Sequence, residues 1–174
     1  MELLEIMQRR RSIRNYTGEP VVEENIEKIL QAGLLAPSSK GKQPWELLVV
    51  RNKETLQALT ECRGCGAKLL AGADCAVVVI GDAAKADVWV EDCSIVMSNM
   101  HLMASSLGVG SCWVQGRLRK RKDGQYADDF VRELLHYPEN FRLLAMLALG
   151  MPQEEPEPRP LADLPVGKIH REEF

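Results

Sequence analysis

The chain has 174 residues, 45% of them apolar, and a formal net charge of −3, which is typical of one globular domain with a sizeable core. A general nucleic-acid-binding protein is more often basic overall, so the charge argues against that class. The first residues lack the pattern of a signal peptide, and we expect a protein of the cytoplasm.

The chain begins with a predicted helix at residues 2–9, followed by a basic segment at residues 9–16 that reads Arg-Arg-Arg-Ser-Ile-Arg-Asn-Tyr. A guanidinium group presents a planar fork of donors that suits phosphate oxygens, and a serine hydroxyl adds a compact donor. The segment therefore predicts either a phosphate site or a solvated helix end, and these residues alone do not decide between them.

An amphipathic helix is predicted at residues 22–35, with Val22, Ile26, Ile29, Leu30 and Leu34 at helical spacing. The next stretch, residues 36–45, is predicted to be a loop because it contains two prolines, a glycine and two serines. We then expect a strand at 46–51, a helix at 54–59, a helical turn at 67–70 and a buried strand at 75–80.

The longest apolar region supports a helix at residues 86–107. It contains Glu91, Asp92, Asn99 and His101, a polar load that a membrane span does not usually accept, so we interpret it as a buried helix and expect no membrane association. Its methionines are interpreted as core residues rather than as a cofactor site.

The remaining elements are a strand at 111–115, a solvated basic loop at 117–122, a helix at 127–135 and a strand at 142–149. From residue 151 the chain is rich in proline and acidic residues, which cannot form a core of their own. Apolar residues return at Val166, Ile169 and Phe174, which predicts that the C-terminus packs against another protein surface.

The cysteines are Cys62, Cys65, Cys75, Cys93 and Cys112, an odd number that favours reduced thiols. Cys62 and Cys65 form a single CxxC pair, whereas a zinc site needs a second pair of ligands. The histidines at 101, 136 and 170 are not spaced as that pair. The pattern favours two incidental thiols over a metal or thiol-redox site, and we predict no metal.

Helices and strands are mixed along the chain and the long core helix lies between strands, which predicts one domain with a central sheet covered by helices. Four stretches, taken in order, also resemble the FMN-dependent nitroreductase family. They are the residues 10–14 with Tyr16, the residues 36–39 leading into 43–45, the residues 107–113, and the residues 148–150 before the proline-rich tail. Their order and spacing fit the family along nearly the whole chain.

The resemblance implies an α+β fold with a central, mostly antiparallel sheet flanked by helices. It implies an FMN-binding core at residues 1–150 and an extended C-terminal tail of the same domain at residues 151–174 that reaches onto a partner subunit. The family forms homodimers with FMN at the subunit interface. The further partner would be a small-molecule electron acceptor. We expect neither a nucleic-acid partner nor a membrane partner.

The resemblance also implies the residues that bind FMN. The phosphate group would contact Arg10, Ser12 and Arg14, with Arg11 close by and Arg159 completing the site from the tail. The flavin ring would contact Pro37, Ser38 and Ser39 of the other subunit, the backbone N–H groups of Val114, Gln115 and Gly116 near N5, and Lys68 at the pyrimidine edge.

The implied activity is hydride transfer from NAD(P)H through flavin N5 to a nitroaromatic, quinone or related acceptor in a ping-pong cycle. The cofactor would carry this chemistry, so we assign no catalytic residue. The chain lacks a dinucleotide-binding GxGxxG motif with its acidic residue, and the donor would therefore bind directly over the flavin; ferredoxin or flavodoxin is an alternative donor.

Three positions depart from the family pattern: Gly41 and Cys65 stand where asparagine is usual, and Glu157 stands where some relatives have a basic residue. Three alternative functions stay open. They are a flavin-binding protein for storage or sensing with little turnover, a different redox reaction on the same scaffold, and a nucleic-acid-binding protein that uses both arginine-rich runs.

Overall fold

The computed structural model describes residues 2–174 and contains one four-stranded antiparallel sheet. Its strands are β1 (Trp45–Val50), β2 (Cys75–Asp82), β3 (Gly110–Gln115) and β4 (Phe141–Gly150). The spatial order is β1-β2-β4-β3, so β1 and β3 are the edge strands. The predicted α+β fold with an antiparallel sheet is confirmed.

The helices are α1 (Leu3–Arg9), α2 (Glu23–Leu34), α3 (Lys53–Leu59), α4 (Trp89–Ser106) and α5 (Ala127–Leu135). The predicted turn at 67–70 is a 3₁₀ turn at Lys68–Gly72. The predicted start of α4 at residue 86 is too early, because Asp82 accepts hydrogen bonds from the Ala84 and Lys85 N–H groups and holds a turn there. Within residues 2–174, no helix has both the length and the apolar character needed to cross a membrane.

The sheet separates two apolar cores. Val77 and Val79 of β2 face the core that contains α2 and α4, whereas Val78 and Ile80 face the core beside α3 and α5. Because both faces of β2 are covered, its sequence is continuously apolar instead of alternating. The sheet thereby holds α4 firmly along one face, and α4 in turn supports the candidate site.

Helix α2 packs closely on α4. A Cβ atom at Gly33 would lie 2.8 Å from Cγ of the buried Met100, so a larger residue there would force the helices apart. The apolar face predicted for α2 is only partly buried within one chain. Ile26 and Ile29 are buried, whereas Val22 and Leu34 are 63% and 54% exposed.

The basic run at 117–122 is more structured than the predicted solvated loop. Arg121 is half-buried, donates to the carbonyl oxygen of Glu61 at 3.1 Å, and places its guanidinium carbon 4.1 Å from the centre of the Phe130 ring. Lys120 lies over the Tyr126 ring at 4.4 Å. Aromatic residues that follow the run in sequence therefore pack against it, which the local sequence pattern does not reveal.

The tail first follows the N-terminal segment of its own chain. The Thr17 N–H donates to the Met151 carbonyl at 2.9 Å, and the Arg159 N–H donates to the Gln8 carbonyl at 3.0 Å. Beyond that point, all of residues 160–174 are exposed, including large apolar side chains.

Candidate functional site

The basic segment leaves α1 as an extended chain beside the edge strand β3. The Ile13 N–H donates to the Ser111 carbonyl at 2.9 Å, and Ser12 and Ser111 form a parallel bridge. Glycine is required at the start of β3, because a Cβ atom at Gly110 would lie 2.9 Å from the Ile13 side chain. The segment is therefore held in a fixed register on the sheet.

Side chains of an extended segment alternate between its two faces, so neighbouring arginines of the basic segment point in opposite directions. Burial raises the pKa of the Cys112 thiol, while Arg14, Arg10 and a hydrogen bond with Ser12 act in the opposite direction. Arg10, Ser12 and Arg14 stand at every second position of this extended segment and all act on the same thiol, so we assign them to one face. We call these three residues the phosphate face.

Arg159 joins the phosphate face through the tail. The Gln8 side chain donates to the Arg159 carbonyl at 3.1 Å, which fixes the backbone there from a second direction. Burial lowers the pKa of the Arg10 guanidinium, and the nearby charges of Arg159 and Arg11 lower it further. The predicted partners Arg10 and Arg159 are thus brought together from opposite ends of the chain.

This cluster of positive charges has no acidic counterpart. Among residues 2–174, no carboxylate lies within 4.0 Å of a guanidinium nitrogen of Arg10, Arg14 or Arg159. Like charges held together without a counterion favour the binding of an anion. The cluster is therefore a candidate phosphate site.

Arg11 lies on the opposite face. Its Nη1 donates to the Glu157 carbonyl at 2.7 Å, so its guanidinium anchors the tail. Arg9 and Arg11 line a cavity of about 470 Å³ beneath the tail, together with the acidic residues Glu154, Glu155 and Glu157. The acidic wall of this cavity suits an anion poorly, and Arg10 and Arg14 do not line it. We therefore place the candidate phosphate site on the open phosphate face.

Behind the phosphate face, Arg10 contacts a buried histidine of α4. The Arg10 Nη1 donates to Nε2 of His101 at 3.1 Å, and Nδ1 of His101 contacts the Ser111 hydroxyl. Burial and the Arg10 charge lower the pKa of His101 to about 4. The sequence pattern gave His101 no role, because only the tertiary fold places α4 against the basic segment.

The Pro37–Ser39 loop is held near the start of α4. The Ser39 N–H donates to Oδ1 of Asp92 at 2.9 Å, and the Gln43 N–H donates to the Ser38 hydroxyl at 2.8 Å. Asp92 is only 3% exposed. Its Oδ2 has no hydrogen-bond partner among residues 2–174. Sequence reasoning missed this role of Asp92 as well.

Asp92 and His101 lie nine positions apart on α4, or about 13 Å along the helix axis. The loop is therefore supported near the start of α4, and the phosphate face is supported more than two turns further along the same helix. Within one chain, no hydrogen bond among the described residues joins Pro37, Ser38 or Ser39 to the arginine cluster.

The segment Val114–Gly116 has one backbone donor that faces outward. The Gly116 N–H donates to the Leu144 carbonyl of β4 at 3.2 Å. Because outward and inward groups alternate in an antiparallel ladder, Val114 pairs in the same direction and the Gln115 N–H points to the open edge of the sheet. The Arg63 Nη1 donates to the neighbouring Gln115 carbonyl at 3.2 Å and thus marks that edge.

Lys68 begins a 3₁₀ turn and its side chain is exposed. In the preceding loop, Cys62 is buried and Cys65 is exposed, and burial raises the pKa of the Cys62 thiol to about 11. No group of three or more metal-ligating side chains occurs in the described part of the chain.

Comparisons with known proteins identify the class. The model of the nitroreductase family matches residues 7–62 and 61–151. An Archaeoglobus fulgidus protein named for NADH dehydrogenase and NAD(P)H nitroreductase activity is 38% identical over 178 residues, covering 99% of each chain. The chain therefore belongs to the nitroreductase family, and further relatives are named NADPH-flavin oxidoreductase and FMN reductase.

Solved structures support the same assignment. An FMN-dependent nitroreductase of Clostridium difficile R20291 is 42% identical, with a TM-score of 0.96 and coverage of 98% of this chain and 99% of that one. A structure from Desulfovibrio desulfuricans, described as a nitroreductase in complex with FMN, is 27% identical, with a TM-score of 0.76 and coverage of 100% and 98%.

Proposed function

We propose that this protein is an FMN-dependent oxidoreductase that takes electrons from NAD(P)H and reduces a nitroaromatic, quinone or related electrophile by a ping-pong cycle. One observation carries the proposal: the tail brings Arg159 beside the N-terminal segment that carries Arg10 and Arg14, and none of these arginines has a carboxylate partner among the described residues. The phosphate group of FMN has the charge and the acceptor oxygens that such a cluster lacks.

The donor set of the site fits FMN. The three arginines and the Ser12 hydroxyl would bind the phosphate, the outward Gln115 N–H would donate to the flavin near N5, and the Lys68 ammonium would lie at the pyrimidine edge. When bound, FMN supplies the hydride-accepting and hydride-donating chemistry. The residues of the chain bind and orient the ring, and none needs to act as an essential acid or base.

We also propose that the working unit is a homodimer in which the Pro37–Ser39 loop serves the site of the second copy. The separation of about 13 Å along α4 between Asp92, which supports this loop, and His101, which contacts Arg10, supports that arrangement. Further support comes from apolar side chains that a single chain leaves exposed on α1, α2 and the tail, namely Leu3, Leu4, Met7, Val22, Leu34, Leu161, Val166, Ile169 and Phe174. Gel filtration at twice the 19.5 kDa chain mass is the expected result.

The decisive experiment combines a spectrum with turnover. The purified protein should show visible flavin bands at one FMN per subunit, and it should oxidise NAD(P)H when menadione or a nitrofuran is added. Bound flavin without turnover would favour the storage or sensing function. A colourless protein that binds DNA in a salt-dependent manner would contradict the proposal and favour the nucleic-acid alternative.

A further inference from the structure

The contact between Arg10 and His101 has a fixed chemical direction. A guanidinium group has only donors, so Nε2 of His101 must accept from Arg10. The single proton of the neutral ring is then on Nδ1, which donates to the Ser111 hydroxyl. Ser111 also accepts the Ile13 N–H through its carbonyl, so one residue fixes both the backbone of the basic segment and the ring behind it.

The Arg10 side chain needs a neighbouring group that holds it in one position. It lies among other positive charges, since Arg11 and Arg159 both lower its pKa, and their repulsion acts to move the guanidinium away from the cluster. Its long side chain also loses rotamer freedom when it is held in one position. The buried ring of His101, which is 8% exposed, holds one of the five guanidinium N–H groups and leaves the others for a ligand.

The neutrality of this support matters for an anion site. A carboxylate at the same place would also hold Arg10, but it would neutralise the guanidinium and compete with a phosphate for its charge. A neutral imidazole acceptor orients Arg10 and leaves its positive charge available to the ligand. The described carboxylates are all more than 4.0 Å from this guanidinium, consistent with that arrangement.

We propose that His101 is a positioning residue that holds Arg10 as an uncompensated cation for the cofactor phosphate, and so sets the preference of the site for FMN over riboflavin. The inference rests on the proposed function, because it assumes that the phosphate face binds the phosphate of FMN. It assigns His101 no contact with the flavin and no part in electron transfer.

The test measures the binding of FMN and of riboflavin to the full-length apoprotein by quenching of flavin fluorescence. His101→Leu should weaken FMN binding about ten-fold or more, because an oriented hydrogen bond to a charged group is lost. It should change riboflavin binding less than two-fold, since riboflavin has no phosphate. In an Arg10→Ala background, the same substitution should have almost no further effect on FMN, because His101 acts through Arg10.

Two conservative variants separate positioning from packing. His101→Gln offers a neutral acceptor near the position of Nε2 and should keep most of the FMN preference. His101→Glu should hold Arg10 but weaken FMN selectively, because the carboxylate competes with the phosphate. Both can be measured even where His101→Leu does not yield folded protein.

Equal losses for both flavins, or an unchanged FMN affinity in His101→Leu or His101→Glu, would overturn the inference. If the wild-type protein selects FMN strongly and these variants do not alter that selection, only the role of His101 is wrong. If the wild-type protein binds riboflavin as tightly as FMN, the assigned phosphate site and the role of His101 both fail.

Discussion

Arg14 lies on the phosphate face, where its Nη1 donates to the Ser12 carbonyl at 3.3 Å, and its side chain is exposed. We predict that Arg14→Ala weakens FMN binding by at least about ten-fold while the fold is retained, because one charge-assisted bond to the phosphate is lost at about 1.5–3 kcal/mol. The measurement is flavin retention by the purified protein after dilution and gel filtration.

The matched control is Arg9→Ala. Arg9 is also an exposed arginine near the end of α1, but it lies beside the tail cavity and pairs with Glu5 at 3.6 Å. FMN retention in this variant should stay close to that of the wild-type protein. A full flavin complement in purified, diluted Arg14→Ala would show that the assignment of Arg14 is wrong.

His101 gives the stability of the fold a defined pH dependence. Its pKa is about 4 in the folded chain against an ordinary value of 6.5, so only the unfolded chain takes up this proton between those pH values. The free energy of unfolding should therefore fall as the pH falls from 6.5 to 4, by on the order of 3 kcal/mol, with no contribution from this group above 6.5.

Other groups titrate in the same range, so the useful quantity is the difference between the wild-type protein and His101→Gln. Urea unfolding at several pH values should give a shallower acid decline for the variant. Parallel pH profiles for the two proteins would show that His101 does not carry this dependence.

Sequence patterns predicted which residues belong to the candidate site better than they predicted where each side chain points. They selected Arg10, Ser12, Arg14 and Arg159, and the structure brings the tail at Arg159 beside the N-terminal segment that carries the other three. They grouped Arg11 with these residues, although the extended backbone turns that side chain toward the tail. They could not reveal His101 or Asp92, because their partners lie far away in sequence and a buried polar residue on a helix has no local signature.

At the scale of elements, α4 supports the loop before β1 through one buried carboxylate. We predict that Asp92→Ala loosens this loop, because the Ser39 N–H loses the acceptor that it reaches at 2.9 Å. Amide hydrogen exchange of residues 38–41 should become faster by about ten-fold or more, as expected for the loss of a part-buried hydrogen bond to a charged group.

Glu91→Ala provides the control on the same helix turn. Glu91 is the exposed neighbour of Asp92 in the first turn of α4, and it makes no hydrogen bond to the loop among the described contacts. Its substitution should leave the exchange of the loop unchanged. Equal exchange rates in Asp92→Ala and the wild-type protein would remove Asp92 from the support of the loop.

The strand and helix boundaries were largely predictable because their signals are local. Apolar runs and helical spacing placed α5 at its observed bounds and most other elements within about two residues, although α4 begins at Trp89. The strand order β1-β2-β4-β3 could not be predicted in the same way, because no local sequence pattern determines which strands become neighbours. The antiparallel sheet was expected from the family resemblance and not from the strands themselves.

At the scale of the whole molecule, the exposed end of the tail favours association. We predict that replacing Val166 and Ile169, which are 66% and 63% exposed, by serine weakens the proposed dimerisation, because apolar area buried in such a dimer would contribute about 25 cal/mol per Å². The core of the single chain should remain folded, since neither side chain is buried within it. Sedimentation equilibrium over a range of concentrations measures the change.

A variant with Glu172→Ser and Glu173→Ser alters the same tail without removing apolar area, and it should associate like the wild-type protein. If the apolar variant also associates normally, the tail is not part of the dimer contact. In that case, the exposed faces of α1 and α2 are the remaining candidates for it.

The open edge of β3 has a consequence for the handling of the protein. Ile13 covers the edge at Ser111 and Arg63 covers the Gln115 carbonyl, while the ladder directs the Gln115 N–H outward. Unpaired backbone groups on an edge strand are a template for pairing with another chain. A flavin ring seated against this edge would therefore also act as a shield, and the apoprotein should aggregate more readily than the flavin-loaded form during purification and storage.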